Sequence, residues 1–314
     1  MTRPLSIPFF VFATLACAAQ ETKEDPRFKE ARLLDSLQKH ERSLKILEEL
    51  AQDPVHRAEA LMDAADCEFH HLGRTDEAFL HMREAIAADP DNARGYINRG
   101  TMYEHLHMAD RAIEDLTIAV RLARTPDERR AAHLNLGAAY QSVRSFELAL
   151  VEYDAALAED TTNTDVLLNR SSLLDELGRS DEALATLMWL NERVPDNPHF
   201  LNNTGFLLSS MERYSEAAEW FSRALALEPD EPYSLNNRAY ARLKAGDTDG
   251  ALKDVERSIT INPGNAYAYR NLGLIRSARG ELAKACTAFE EALARGYTER
   301  FGDDVKKLHE STCH

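Results

Sequence analysis

The chain has 314 residues, of which 53 are acidic and 37 basic, and its formal net charge is −16. This charge argues against nucleic acid as a main partner, because binding to phosphates requires clustered positive charge. It also disfavours adsorption to an anionic membrane surface. Basic peptides or proteins would be attracted to the chain, although an acidic, solvated surface is the commoner reason for such a charge.

Residues 1–19 differ from the rest of the chain and have the composition of an export signal. Arg3 provides a positive charge near the amino terminus. Residues 5–15, LSIPFFVFATL, form an apolar run that Pro8 interrupts and that is short for a bilayer span. Small residues follow at 16–19. This order predicts a secretory signal peptide and an extracytoplasmic location, in a bacterial periplasm or at an outer membrane. The alternative is a disordered apolar amino terminus.

Cys17 is a candidate site of lipidation. Ala16 and Cys17 resemble the end of a bacterial lipobox, in which the cysteine becomes the lipidated first residue. Thr14 departs from the Leu that this motif prefers, and cleavage by signal peptidase I after Ala18 or Ala19 is the rival prediction. If Cys17 is modified, its lipid is the expected contact with a membrane.

The rest of the chain repeats itself with a period of 34 residues. The repeat is most visible in a series of equivalent alanines: Ala78, Ala112, Ala149, Ala183, Ala217, Ala251 and Ala285. One interval, from Ala112 to Ala149, is 37 residues, because the segment 124–130 carries three extra residues that we expect to lengthen a surface loop. A fixed period of this size predicts a stacked array of supersecondary units.

Each unit is predicted to be two short helices. Residues 269–292 show helical spacing of apolar residues on both sides of Gly280, which interrupts it. The eighth position of the units is small: Gly100, Gly137, Ser171, Gly205, Ala239 and Gly273. The 24th position is larger: Met82, Leu116, Tyr153, Leu187, Phe221, Val255 and Phe289. Small residues let two helices approach closely, and the larger ones fill the gap between them. Prolines end the second helix, at Pro90, Pro195, Pro229 and Pro263.

These features resemble the tetratricopeptide repeat family, whose pattern contains an aromatic residue, Leu-Gly, Tyr, Ala-x3-Phe and a late Pro. Seven good units begin at Glu59, Ala93, Arg130, Thr164, Pro198, Pro232 and Ala266, and a degenerate one begins near Glu24. Asp66 and Leu190 depart from the pattern by replacing small residues. The resemblance implies an all-α fold, a right-handed α–α superhelix of about eight helix pairs with a concave groove that faces its ligand.

The repeat boundaries divide the chain into four segments. Residues 1–19 are the signal peptide, 20–58 a tether and the degenerate first unit, 59–299 the seven units, and 300–314 a carboxyl-terminal capping helix. Phe301, Val305 and Leu308 have the helical spacing of a cap over the last apolar face. A docking helix for a partner is the alternative.

The sixth position of six consecutive units is always asparagine: Asn98, Asn135, Asn169, Asn203, Asn237 and Asn271. On a helical wheel this position lies about 160° from the small eighth position, so we expect it to point away from the packing surface. Asparagine both donates and accepts hydrogen bonds, and such a row can hold successive peptide groups of an extended chain. Some long members of the resembled family have an asparagine ladder of this kind. The alternative is a structural role within each repeat.

Aromatic and polar residues flank this row from residue 198 onward. They are His199, Asn202, Phe206, Tyr233, Asn236, Tyr240, Tyr267 and Arg270. Aromatic residues together with arginine are typical of binding hot spots, so we place the predicted peptide site here. The alternative is that these rings pack between neighbouring units.

Residues with catalytic or metal-binding chemistry do not form a recognisable motif. The histidines His70, His71, His81, His105 and His107 lie close in sequence but contain no i, i+4 pair with a carboxylate. The four cysteines lack redox or zinc spacing, and we expect Cys67 and Cys286 to be free thiols. We therefore predict no cofactor, no metal and no enzymatic activity.

The predicted function is a non-catalytic scaffold that binds an extended peptide or protein segment in the groove. The alternative is an accessory subunit of an envelope enzyme or assembly complex, bound through the convex face or the ends.

Overall fold

The computed structural model describes residues 25–313, and the predicted signal peptide and Cys17 lie outside them. The first four helix pairs are α1 (Pro26–Ser36) with α2 (His40–Leu50), α3 (Arg57–Cys67) with α4 (Thr75–Ala88), α5 (Ala93–His105) with α6 (Ala109–Leu122), and α7 (Pro126–Ser142) with α8 (Phe146–Glu159). The other four are α9 (Thr164–Glu176) with α10 (Ser180–Arg193), α11 (Pro198–Ser210) with α12 (Tyr214–Leu227), α13 (Pro232–Lys244) with α14 (Thr248–Ile261), and α15 (Ala266–Ala278) with α16 (Leu282–Ala294). Two short helices follow, α17 (Tyr297–Phe301) and α18 (Asp304–Thr312).

The described residues divide into two compact units, 25–173 and 174–313. Within each unit, the two helices of a pair contact each other and then the next pair along the chain. This arrangement confirms the predicted fold class, an all-α tetratricopeptide solenoid of about eight helix pairs with a carboxyl-terminal cap. Among the helices of residues 25–313, none is both long and apolar enough to cross a bilayer.

The contact between the two helices of a repeat explains the small and large positions. A Cβ atom added to Gly205 of α11 would lie 2.9 Å from the Phe221 ring of α12, and one added to Gly137 of α7 would lie 2.7 Å from the Tyr153 ring of α8. Both rings are fully buried. No side chain fits at these glycines without displacing a core ring, and the predicted pairing of small with large positions is confirmed.

The three extra residues in the segment 124–130 do not lengthen a surface loop as expected. They extend α7 to 17 residues, and its first turn is closed by a capping box. The backbone N–H of Glu128 donates to Oγ1 of Thr125 at 3.2 Å, and the backbone N–H of Thr125 donates to Oε2 of Glu128 at 3.1 Å. These reciprocal bonds satisfy backbone donors that a helix amino terminus otherwise leaves unpaired, so the insertion is helical.

The carboxyl-terminal cap packs on the last repeat. Tyr297 and Val305 are buried against Phe289 of α16, with Phe301 and Leu308 at the edge of the same cluster. A disulfide joins Cys286 of α16 to Cys313 after α18, with 5.8 Å between their Cα atoms. The prediction that Cys286 is a free thiol was therefore wrong, because α18 packs against α16 and brings two cysteines together that are 27 residues apart in sequence. Cys67 is free and buried, as predicted.

Candidate functional site

The asparagines at the sixth position differ in exposure from what the helical wheel led us to expect. Four of the six are buried: Asn98, Asn135, Asn169 and Asn271. Nδ2 of Asn271 on α15 donates to Oδ1 of Asn236 on α13 at 3.0 Å, and Nδ2 of Asn98 on α5 donates to Oδ2 of Asp66 on α3 at 2.8 Å. The sixth position of these repeats faces the first helix of the preceding repeat, so the expectation that it points away from the packing surface was wrong for these four.

Asn203 on α11 and Asn237 on α13 differ from the other four because they are half-buried rather than enclosed. Each precedes an aromatic residue by three positions, Phe206 in one case and Tyr240 in the other, and residues at this spacing share a helix face. The two amides of the row that remain accessible therefore lie beside the rings of the predicted peptide site.

A pocket lies where these rings meet in residues 174–313. We call it the aromatic pocket, and its lining is Phe206, Ser209, Phe221, Asn237, Tyr240 and Tyr267. Three first helices, α11, α13 and α15, provide all of these residues except Phe221, which comes from α12. The lining offers aromatic rings, hydroxyls and one amide but no carboxylate, imidazole or thiol. Such a surface suits binding of an apolar or amphipathic group better than acid–base catalysis.

Arg270 supports the aromatic pocket from behind. Only 8% of its surface is exposed. Its guanidinium carbon lies 5.9 Å from the centre of the Tyr240 ring and 5.3 Å from that of Tyr267. Nε donates to Oδ2 of Asp304 at 2.9 Å, and Nη1 donates to Oδ1 of Asn271 at 3.0 Å. The charge of Arg270 is thus used inside the protein, where it holds both rings in place.

The two tyrosines of the pocket each pack against another ring. Tyr267 stacks on Tyr297 with ring centres 6.2 Å apart and planes at 11°, and it also contacts Phe301. Tyr240 meets the edge of Tyr214 at 6.2 Å. Both pocket tyrosines remain half-buried, so each has one side against the protein and another that is accessible. Burial raises the pKa of the Tyr267 phenol, which keeps it neutral and able to donate a hydrogen bond.

The remaining predicted site residues separate into exposed and internally bonded ones. His199 and Tyr233 are exposed in the first turns of α11 and α13. Asn202 accepts a hydrogen bond from Oγ of Ser234 at 3.0 Å, and Asn236 accepts from Asn271. The two asparagines therefore connect first helices of successive repeats.

Sequence reasoning missed the residues that support the pocket from outside the repeat pattern. Tyr297 and Asp304 belong to the cap, and Tyr214 begins α12. The family pattern assigns no role to these positions, so repeat spacing carried no signal for them.

Three solved structures are similar in fold. A tetratricopeptide repeat protein from Parabacteroides merdae has a TM-score of 0.67 and 21% identity, over 82% of this chain and 99% of that one. A chain of the APC/C hetero-tetramer Cut9-Hcn1 has a TM-score of 0.65 and 17% identity, over 93% of this chain and 57% of that one. Yeast Tom70 has a TM-score of 0.63 and 15% identity, over 97% of this chain and 67% of that one.

These identities are low, so the similarities show the fold alone. No curated protein matches the chain. The family model described as tetratricopeptide repeat matches residues 28–93, 168–232 and 236–298. The chain therefore belongs to the tetratricopeptide repeat family, whose fold supports a general role as a protein–protein interaction scaffold.

Proposed function

We propose that the protein is a non-catalytic scaffold that binds an extended peptide or protein segment at the aromatic pocket and at the neighbouring Asn203 and Asn237. The observation that carries the proposal is the pocket itself, because first helices of three consecutive repeats line it with half-buried rings. In the predicted groove, this arrangement offers a repeated set of contacts to an extended chain.

The chemistry of the pocket assigns different tasks to rings and amides. Phe206, Tyr240 and Tyr267 offer apolar area for a side chain of the bound segment, and rings of this kind dominate binding energies at interfaces. The amides of Asn203 and Asn237 can each donate to and accept from peptide groups without reading their side chains. The net charge of −16 adds a long-range preference for basic segments.

The test begins with capture of a partner from envelope extract on the intact protein and its identification by mass spectrometry. Calorimetry then compares the wild type with Tyr240→Ala, with the double variant Asn203→Ala/Asn237→Ala, and with Glu219→Ala on the exposed side of α12. We expect Tyr240→Ala to cost on the order of 2 kcal/mol of binding free energy. Each asparagine should contribute about 0.5–1.5 kcal/mol, and the Glu219 variant should bind like the wild type.

Circular dichroism must show that all variants are folded. If Tyr240→Ala and the double asparagine variant bind as tightly as the wild type, the pocket is not the site. Binding through the convex face or the ends, as an accessory subunit of an envelope complex, then takes its place.

The same proposal includes a location outside the cytoplasm. It is supported by the signal-like composition of residues 1–19 and by the disulfide between Cys286 and Cys313, since disulfides persist mainly in oxidising compartments. Intact-mass analysis of protein from its own host should find an amino terminus at or near Cys17, with two added acyl chains if this cysteine is lipidated. A full-length chain in the cytosol would contradict the proposal.

A further inference from the structure

Three side chains with metal-binding atoms meet where the first two repeats join. Asp35 lies in the last turn of α1, His40 begins α2 and Cys67 ends α3. One ligand atom from each of the three residues lies within 4.8 Å of the other two. Nδ1 of His40 is 3.1 Å from Oδ1 of Asp35, and Sγ of Cys67 is 3.5 Å from the same oxygen.

These distances are close to those between ligands of a tetrahedral zinc ion. Zinc bonds of about 2.0–2.3 Å at tetrahedral angles place neighbouring oxygen, nitrogen and sulfur ligands roughly 3.3–3.5 Å apart. The atoms around Oδ1 of Asp35 therefore need to move only a few tenths of an ångström to surround a metal ion. A cluster held only by hydrogen bonds has no need for three different zinc-binding residue types.

The cluster is also accessible from one side and closed on the other. The side chains of His40 and Asp35 are 19% and 25% exposed, whereas Cys67 is buried. The His71 ring stacks on the His40 ring with centres 4.3 Å apart and planes at 11°. An ion can therefore enter from solvent, while the thiol contributes a soft ligand from the interior.

We propose that Asp35, His40 and Cys67 form a Zn²⁺ site that binds the ion through a carboxylate oxygen, an imidazole nitrogen and a thiolate sulfur. The mixture of a soft thiolate with imidazole and carboxylate favours zinc over magnesium or calcium, which prefer oxygen ligands alone. The thiol proton of Cys67 leaves to solvent when the Zn–S bond forms. Water occupies the fourth position, as in zinc sites with three protein ligands.

Ser43 is a positioning residue for this site. Its hydroxyl lies 2.8 Å from Oδ2 of Asp35 and 2.9 Å from the carbonyl oxygen of Ala31, and it donates to either acceptor. A bond to Oδ2 turns Oδ1 towards His40 and Cys67. Hydrogen-bonded partners of this kind typically change metal affinity by about 10-fold to 100-fold when they are removed.

Sequence spacing conceals the site because its ligands come from three helices of two repeats. Five residues separate Asp35 from His40, and 27 separate His40 from Cys67. Neither interval belongs to a zinc motif, and only the packing of the first repeat on the second brings the three together.

The experiment is a titration of the intact, metal-free protein with Co²⁺, whose bond to a thiolate gives a charge-transfer absorption band. We expect one equivalent of Co²⁺ to produce the band and Zn²⁺ to displace it. Cys67→Ser should abolish the band, while Asp35→Asn and His40→Ala should weaken Co²⁺ binding at least 10-fold. Ser43→Ala should weaken it about 10-fold to 100-fold while keeping the band.

Two variants serve as controls. Cys17→Ser removes the other thiol that lies outside the disulfide, and His133→Gln removes a histidine that contacts Glu152 rather than the cluster. Both should bind Co²⁺ like the wild type. The proposal is overturned if the wild type shows no charge-transfer band or if Cys67→Ser retains it. Should Cys67→Ser fail to fold, Asp35→Asn decides, because it keeps the thiol, and unchanged affinity there also overturns the site.

Discussion

Nε of Arg270 on α15 donates a hydrogen bond to Oδ2 of Asp304 on α18 at 2.9 Å. The same guanidinium lies against the rings of Tyr240 and Tyr267, which line the aromatic pocket. The carboxyl-terminal cap therefore does more than cover the apolar face of the last repeat. Through Asp304 it neutralises the buried cation that holds two pocket rings in place.

The first prediction follows from this ion pair. Asp304→Ala leaves the buried charge of Arg270 without its carboxylate, so we expect a loss of about 1.5–3 kcal/mol in the free energy of unfolding. Urea denaturation of both proteins measures the loss. Asp303→Ala is the matched control, because the Asp303 carboxylate is 61% exposed and its contact is the exposed Lys306. Equal effects of the two substitutions would show that Asp304 has no special role.

The second prediction concerns the disulfide between Cys286 and Cys313. A cross-link between residues 27 apart restricts the unfolded chain, and the chain-entropy relation gives about 3–4 kcal/mol for a loop of this length. Reduction should therefore lower the unfolding temperature. In the Cys286→Ser/Cys313→Ser variant the same reductant should have no effect. If the wild type has the mass of a fully reduced chain after non-reducing purification, the bond does not form.

The repeat architecture could be predicted because every repeat encodes the same contact. Gly205 with Phe221 and Gly137 with Tyr153 are the same small-to-large pair in different repeats, so spacing alone identified it. The burial of Asn271 could not be obtained in this way. A helical wheel relates a residue to the partner helix of its own repeat, whereas the first helix of the preceding repeat covers Asn271.

Contacts that occur once in the chain carry no periodic signal. Asp304 and Cys313 lie beyond the last repeat, and Asp35 belongs to the degenerate first one. Their partners depend on how the end helices pack, which a 34-residue pattern does not determine. The sequence therefore indicated the region of the aromatic pocket but not the residues that support it.

The third prediction tests whether stability is modular. Gly205→Val forces a branched side chain towards the Phe221 ring, and overpacking of this kind typically costs about 1–3 kcal/mol. Because each repeat contacts its neighbours, hydrogen exchange should accelerate in α11, α12 and the adjoining helices. Gly264→Val is the control, since the nearest atom to an added Cβ there is 3.5 Å away. Uniform loss of protection over residues 25–313 would contradict modular unfolding.

The fourth prediction is a pH dependence at Glu281. Hydrogen bonds from Arg279, Lys284 and Arg276 lower the pKa of this carboxyl from its ordinary 4.5 to about 2. A lowered pKa in the folded state means that folding favours the carboxylate. Its contribution to stability is therefore present above pH 4.5 and lost as the pH falls towards 2.

Unfolding temperatures of the wild type and Glu281→Gln should thus differ at pH 7 and converge near pH 2. Glu219→Gln, at an exposed position of α12, is the control for a change of charge alone. A difference for Glu281→Gln that stays constant between pH 7 and pH 2 would mean that the carboxylate is not the stabilising group.

The last prediction separates structural from ligand-binding asparagines within one row. Asn271 is fully buried and joins Asn236 to Arg270, so Asn271→Ala leaves buried polar groups without partners and should cost about 1–3 kcal/mol of stability. Asn203 is half-buried beside the pocket, and Asn203→Ala should leave stability within about 0.5 kcal/mol of the wild type. With a captured partner, the order should reverse: Asn203→Ala weakens binding directly, whereas Asn271→Ala keeps its affinity as long as it is folded. Urea denaturation and calorimetry on the same two proteins make both comparisons. Loss of stability in both variants with unchanged affinity would assign the whole row to the fold and leave the rings alone as the binding surface.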